Sequence, residues 1–321
     1  MATEKTNKYT HMKKFINKKL YAAMFYVVLL AACTKEPGIV QTKQSIDEVI
    51  NTDPELSMFA YMVKKSNLDI FTKGGGPFTF FIPTNAALTA VGITSTTHID
   101  QMEPLYLTIL ASYHFQGNLR SFYEIPEGPN ATMNTQTNIV QYASRRGDKA
   151  YINGVELLDK GTEASNGIYY KVGELILPPV NTNAITTMQA MGDKYTLMLQ
   201  AIAKTGTTTS FTTSPATVFA LPNSVMLANG YDSVTIANIK GNEATILTNK
   251  LRYHVIPQRI FKSDFKPANL LTRYTSNSVI IEGSVGNFTI KGKNNTTSTP
   301  VGNGTANGAG VFYSIEQMLK P

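Results

Sequence analysis

The most constraining feature of this chain is that its landmarks occur twice, in the same order. An apolar helical face comes first, with Leu56, Phe59, Ala60 and Val63 in one copy and Tyr195, Met198, Leu199 and Ile202 in the other. Next is an apolar run closed by proline, "FTFFIP" at 78–83 and "TVFALP" at 217–222, with an asparagine close behind each. A Tyr-His pair follows, Tyr113-His114 and Tyr253-His254, and then a segment from glycine to proline, Gly167 to Pro178 and Gly310 to Pro321. The copies are offset by 139 to 143 residues. A repeat of that length is a whole domain rather than a solenoid unit, and 321 residues suffice for two cores.

Local signals fill in each copy. Ser45 to Glu48 fits a capping box for a short lead-in helix, and Asp53 with Pro54 reads as an N-cap and first helical residue. Leu56 to Pro83 and Tyr195 to Pro222 both span 27 residues, so the two prolines are expected to be equivalent. Asparagines after them (Asn85, Asn223) are expected to cap the helix that follows. Gly74 to Gly76 read as a turn into a buried strand, because the second copy lacks these glycines and "GGG" lacks the lysine of a phosphate loop. "GKNNTTSTPVGNGTANGAG" at 292–310 reads as a long exposed loop.

The motifs "FTFFIPTNAAL" and "TVFALPNSVML", "LASYHFQG" and "LRYHVIPQRI", "NGIYYKVGELILPP" and "AGVFYSIEQMLKP" resemble those of the fasciclin-type domain. The resemblance covers about residues 39–321, with two mild departures: Asn223 follows Pro222 without a hydroxyl residue between, and Phe115 replaces the usual aliphatic residue. It implies an α+β fold, two tandem fasciclin-type domains, each a β-sandwich or wedge of about seven strands packed against helices. The expected divisions are 1–32 signal peptide, 33–43 tether, 44–179 first domain and 180–321 second domain, with limited interdomain freedom. In animal members the Tyr-His segment is associated with adhesion, which makes Tyr113, His114, Tyr253 and His254 either a binding motif or a core support.

Address comes from the leader. Six lysines of the net +7 lie in residues 1–32, ahead of an apolar run, Leu20 to Leu30, too short to span a bilayer. Met12 is an alternative start. "LAAC", ending in Cys33, resembles the lipoprotein box, and Cys33 is the only cysteine, so the expectation is lipidation there and a membrane partner through the lipid. Thr34 lacks the aspartate of inner-membrane retention, which by resemblance favours the outer membrane, facing the periplasm or the surface. Without the leader the charge is nearly balanced, so no nucleic-acid partner is expected.

Catalytic patterns are weak. His98, His114 and His254 have no accompanying ligand spacing, so no metal and no cofactor are expected. "EGSVG" at 282–286 carries Glu282 where a nucleophile elbow needs glycine and reads as a turn between strands; "GNGTANG" at 302–308 misses the dinucleotide spacing by one residue. Sequons at Asn130, Asn287, Asn295 and Asn303 read as compositional, and "DSV" at 232–234 is a three-residue match to an O-glycosylation motif. The leading expectation is a non-enzymatic adhesion lipoprotein with a protein or glycan partner at the envelope. One rival is a glycan-binding accessory of polysaccharide uptake, with Tyr142, Tyr151 or Tyr274 exposed for stacking on sugars; another is a hydrolase whose site is not local in sequence.

Overall fold

The computed structural model describes residues 43–321 except Gly286 and Asn295, and the backbone alone of Asn303. The signal peptide, Cys33, nearly all of the tether and the Asn295 sequon therefore lie outside the described residues.

The first domain opens with α1 (Ile46–Thr52), closed at its N-terminus by the expected capping box: Glu48 N donates to Ser45 Oγ at 3.2 Å and Ser45 N to Glu48 Oε2 at 2.7 Å. Asp53 then caps a 3₁₀ turn, Pro54–Leu56, which runs into α2 (Ser57–Lys65), followed by α3 (Asp69–Lys73). Gly74 to Gly76 connect α3 to β1 (Phe78–Pro83). Three helices follow, α4 (Asn85–Ala90), α5 (Thr96–Asp100) and α6 (Pro104–Ser112), then β2 (Phe115–Gln116). The remaining strands are β3 (Ala131–Asn134), β4 (Val140–Arg146), β5 (Lys149–Ile152), β6 (Val155–Glu156), β7 (Thr162–Ala164) and β8 (Gly167–Val172).

The second domain repeats this order with α7 (Ala184–Ala190), α8 (Thr196–Thr205), α9 (Thr208–Thr212), β9 (Ala216–Ala220), α10 (Asn223–Ala228), α11 (Ser233–Asn238), α12 (Gly241–Tyr253) and β10 (Val255–Ile256). Then come β11 (Ala268–Leu271), β12 (Ser278–Ser284), β13 (Asn287–Lys291), β14 (Thr297–Ser298), β15 (Pro300–Ala306) and β16 (Gly310–Ile315). Each domain holds two four-stranded sheets, ordered β2-β1-β8-β7 and β3-β4-β5-β6 in the first, β10-β9-β16-β15 and β11-β12-β13-β14 in the second. The described residues thus give eight strands per domain rather than about seven, because two-residue pairings such as β2 and β6 are too short to read from sequence.

In each domain the first strand of the central parallel pair, β1 or β9, is buried on both faces. Phe80 and Ile82 of β1 meet the helices (Phe59, Met62, Leu107), whereas Phe81 meets the second sheet (Ala143, Ile152). That double burial is why "FTFFI" is apolar throughout instead of alternating. Gly167 and Gly310 start the closing strands because the parallel neighbour crowds them: a Cβ would lie 2.1 Å from Phe78 O and 1.6 Å from Ala216 O. Each domain buries its own interior.

Three expectations need correction. Phe81 N donates to His114 O and Phe219 N to His254 O, so Phe81 matches Phe219; Pro83 then matches Leu221, and Pro222 stands where Thr84 stands. The two prolines are not equivalent, and their equal spacing from the helical face is a coincidence of a one-residue shortening. Thr84 caps α4 through its side chain, while Pro222, with no hydroxyl, caps α10 without one. The tract at 292–310 is not a long loop, because β15 pairs antiparallel with β16 through a register shift between Val301 and Thr305. Finally, β12 continues through Glu282, Gly283 and Ser284, so the turn after it is shorter than "EGSVG".

Candidate functional site

Asn85 and Asn223 do not cap the helices they begin. Asn85 Oδ1 accepts from Met58 N at 3.0 Å and its Nδ2 donates to Pro54 O at 2.9 Å; Asn223 Oδ1 accepts from Leu197 N at 3.0 Å and its Nδ2 donates to Asp193 O at 2.7 Å. Each side chain caps the earlier helix, α2 or α8, whose own N-cap residue provides no side-chain bond. One asparagine thus satisfies orphan helix donors and ties the end of the central strand to the helical layer.

The Tyr-His pairs lie at the matching corner of each domain, and all four side chains are fully buried. Tyr113 Oη donates to Val140 O at 2.8 Å and accepts from Asn153 Nδ2 at 2.7 Å. Tyr253 Oη donates to Ser278 O at 2.7 Å and accepts from Lys293 N at 3.0 Å. Both tyrosines therefore pin the first residue of β4 or β12 to the end of α6 or α12. His114 Nδ1 donates to Leu110 O at 2.8 Å and His254 Nδ1 to Lys250 O at 2.7 Å, one helical turn back. His254 Nε2 accepts from Leu319 N at 2.9 Å, whereas His114 Nε2 finds no partner among the described residues. Burial is the main cause pushing both imidazoles down to about 4, against the smaller opposing pull of the backbone hydrogen bonds. No surface reaches these rings in this structure, so a partner at the protein surface does not touch them.

The tyrosines expected to be exposed for sugar stacking are covered. Tyr151 is 5% exposed, Tyr274 is half-buried against the second core, and Tyr142 is covered by the other domain. The Arg259 guanidinium lies 4.0 Å from the Tyr142 ring centroid, a close cation–π contact, and Phe261 tilts against the same ring at 5.9 Å.

Tyr142 belongs to a constellation that the sequence did not reveal, the junction of the two domains. Asn130 Nδ2 donates to Arg259 O at 2.7 Å, and Arg146 at the end of β4 pairs with Asp264 of the second domain at 3.0 Å. The Asp264 carboxylate is 4% exposed; desolvation raises its pKa, and the Arg146 charge opposes that rise. Beside these contacts opens a cleft of about 740 Å³, with Pro129, Asn130 and Arg146 on one wall and Arg259, Asp264 and Lys266 on the other. Asn130 Oδ1, Arg146 Nε and Arg259 Nε have no hydrogen-bond partner there. These partners lie 118 to 129 residues apart in sequence, so only the folded pair assembles them. Among the described residues no cluster of three or more His, Cys, Asp or Glu side chains offers a metal site, and no helix is long and apolar enough to cross a membrane.

No curated protein matches the chain. Among solved structures it is similar to a FAS1 domain pair from the insect cell adhesion molecule Fasciclin I, with 13% identity, a TM-score of 0.40 and coverage of 83% of this chain and 97% of that one. The Fasciclin domain family matches residues 54–178 and again 193–321. With two matches over most of its length, the chain belongs to the fasciclin domain family, as two domains in tandem.

Proposed function

We propose that the chain is a non-enzymatic adhesion or binding lipoprotein of the cell envelope, acylated at Cys33 and held on the outer membrane with its two fasciclin domains presented to a protein or glycan ligand. Fasciclin domains are cell-adhesion-type modules, and the observation that carries the reading is that two of them account for residues 54–178 and 193–321. The solved relative is named as an insect cell adhesion molecule, in keeping with such a role. The anchor rests on "LAAC" and on Cys33 being the only cysteine. Acyl chains on one residue contribute about 0.8 kcal/mol per buried methylene, enough in combination for stable attachment without a spanning helix.

The test is expression of the precursor in a diderm bacterium, as wild type and as Cys33→Ser. The expected outcome is an acylated N-terminal peptide by mass spectrometry, partition into detergent, and adhesion of the bearing cells to ligand-coated surfaces, all lost in Cys33→Ser. A wild-type protein that stays in the aqueous phase overturns the anchor. Turnover of an ester, peptide or glycoside panel by purified 34–321 overturns the non-enzymatic reading.

A further inference from the structure

We infer that the cleft between the two domains binds an acidic saccharide through the carboxylate and hydroxyls of a uronic acid unit. This ligand class rests on the binding reading above. The cleft carries Arg146, Arg259 and Lys266 against one carboxylate, Asp264, which is already paired with Arg146. The local excess is cationic in a chain whose remaining charge beyond the leader is nearly balanced, so the site attracts anions selectively.

Hydrogen-bonding capacity narrows the anion. Arg146 Nε and Arg259 Nε are buried donors without acceptors, while Arg259 Nη2 donates to Gly308 O at 3.1 Å. Asn130 is oriented by its bond from Nδ2 to Arg259 O, which leaves Oδ1 as an acceptor without a donor. A simple oxyanion answers only the donors. A carboxylate carrying neighbouring hydroxyls answers both kinds, as a uronic acid does. Ala268 and Leu270, both half-buried, add an apolar wall suited to the C–H face of a pyranose ring. A peptide added as a further strand fits less well: Ala268 and Leu270, two apart on β11, line the cleft, so it meets the face of that strand and not its hydrogen-bonding edge.

The experiment is calorimetric titration of the purified two-domain protein with trigalacturonate, with a neutral galactose trimer and hexa-aspartate as comparisons. Trigalacturonate is expected to bind in a salt-sensitive way and the other two at least tenfold more weakly. Lys266 is exposed, so Lys266→Glu is expected to leave thermal unfolding unchanged while weakening trigalacturonate about tenfold; Lys266→Arg keeps binding, as does Lys64→Glu, the same charge change on exposed α2. Equal binding of the neutral trimer, or equal loss in Lys266→Glu and Lys64→Glu, overturns the site. Equal binding of hexa-aspartate overturns the saccharide class. If trigalacturonate does not bind while cells bearing the protein still adhere, this inference fails and the adhesion reading stands.

Discussion

His254 in the second domain is bonded at both ring nitrogens, while His114 in the first is bonded at one. The contrast extends outward. Gln116 of β2 pairs opposite Thr79, and its counterpart opposite Thr217 is Ile256; Gln141 of β4 pairs opposite Met133, and its counterpart opposite Leu270 is Val279. The first domain therefore threads a buried amide chain, Gln116 Nε2 to Gln141 Oε1 at 2.7 Å and Gln141 Nε2 to Tyr113 O at 2.6 Å, where the second has aliphatic side chains. That chain ends with Gln116 Oε1 unpartnered. One fold thus tolerates a buried polar chain in one copy and aliphatic packing in the other, and in the first Gln116 Oε1 and His114 Nε2 are left unsatisfied among the described residues.

The largest effect expected to probe this contrast is acid. Both histidines are neutral in the folded state because burial holds them near 4, whereas in the unfolded chain they take up protons below about 6.5. A depressed native value means that stability is complete above the unfolded value and is lost as pH falls from about 6.5 to about 4. Each histidine then withdraws on the order of 3 kcal/mol. Protonating His254 also breaks its bond from Leu319 N, while Nε2 of His114 takes a proton without losing one. Urea unfolding at stepped pH, read by hydrogen exchange in each domain, checks this; a midpoint flat between pH 6.5 and 4 refutes it.

Side-chain replacement separates the domains next. His254→Leu strands Leu319 N and Lys250 O in the interior, whereas His114→Leu strands only Leu110 O and removes the unpartnered nitrogen. His254→Leu is expected to destabilise by about 2 kcal/mol more than His114→Leu. Thermal unfolding of the two variants at pH 7.5 is the measurement. Equal losses mean that a partner not seen here completes His114.

How much of this was legible follows from where each partner lies. The two-domain plan and the Tyr-His corners showed through because helix faces, buried strands and paired side chains leave local, repeated patterns, while the α+β fold came from the resemblance to the fasciclin-type domain. The register of the prolines did not, because a one-residue deletion between landmarks preserves a spacing while shifting the match; Phe81 and Phe219 fix it only through bonds to His114 and His254. Gly304 looked like loop composition, yet a Cβ there would lie 2.5 Å from the Tyr313 ring, as one on Gly161 would lie 2.7 Å from Tyr170. Tertiary crowding and a left-handed backbone, φ +84° at Gly304 and +89° at Gly161, set those glycines together. The junction left no signal, since Asn130, Arg146, Arg259 and Asp264 are ordinary surface types until two domains meet over them.

The smallest effect expected is the most direct conversion of one core into the other. Gln116→Ile with Gln141→Val gives the first domain the residues that the second uses at the same sheet positions. The double change removes both partners of the amide–amide bond together with the unpartnered Oε1. It also leaves Tyr113 O without its bond from Gln141. Replacing both partners of a buried polar pair by aliphatic groups is commonly neutral to stabilising, so even with Tyr113 O unpaired the net expected gain is about 1 kcal/mol. Either single change should destabilise, because each strands the other amide. Chemical denaturation of the two singles and the double closes a mutant cycle; a coupling energy near zero would mean that the two glutamines do not act as one unit.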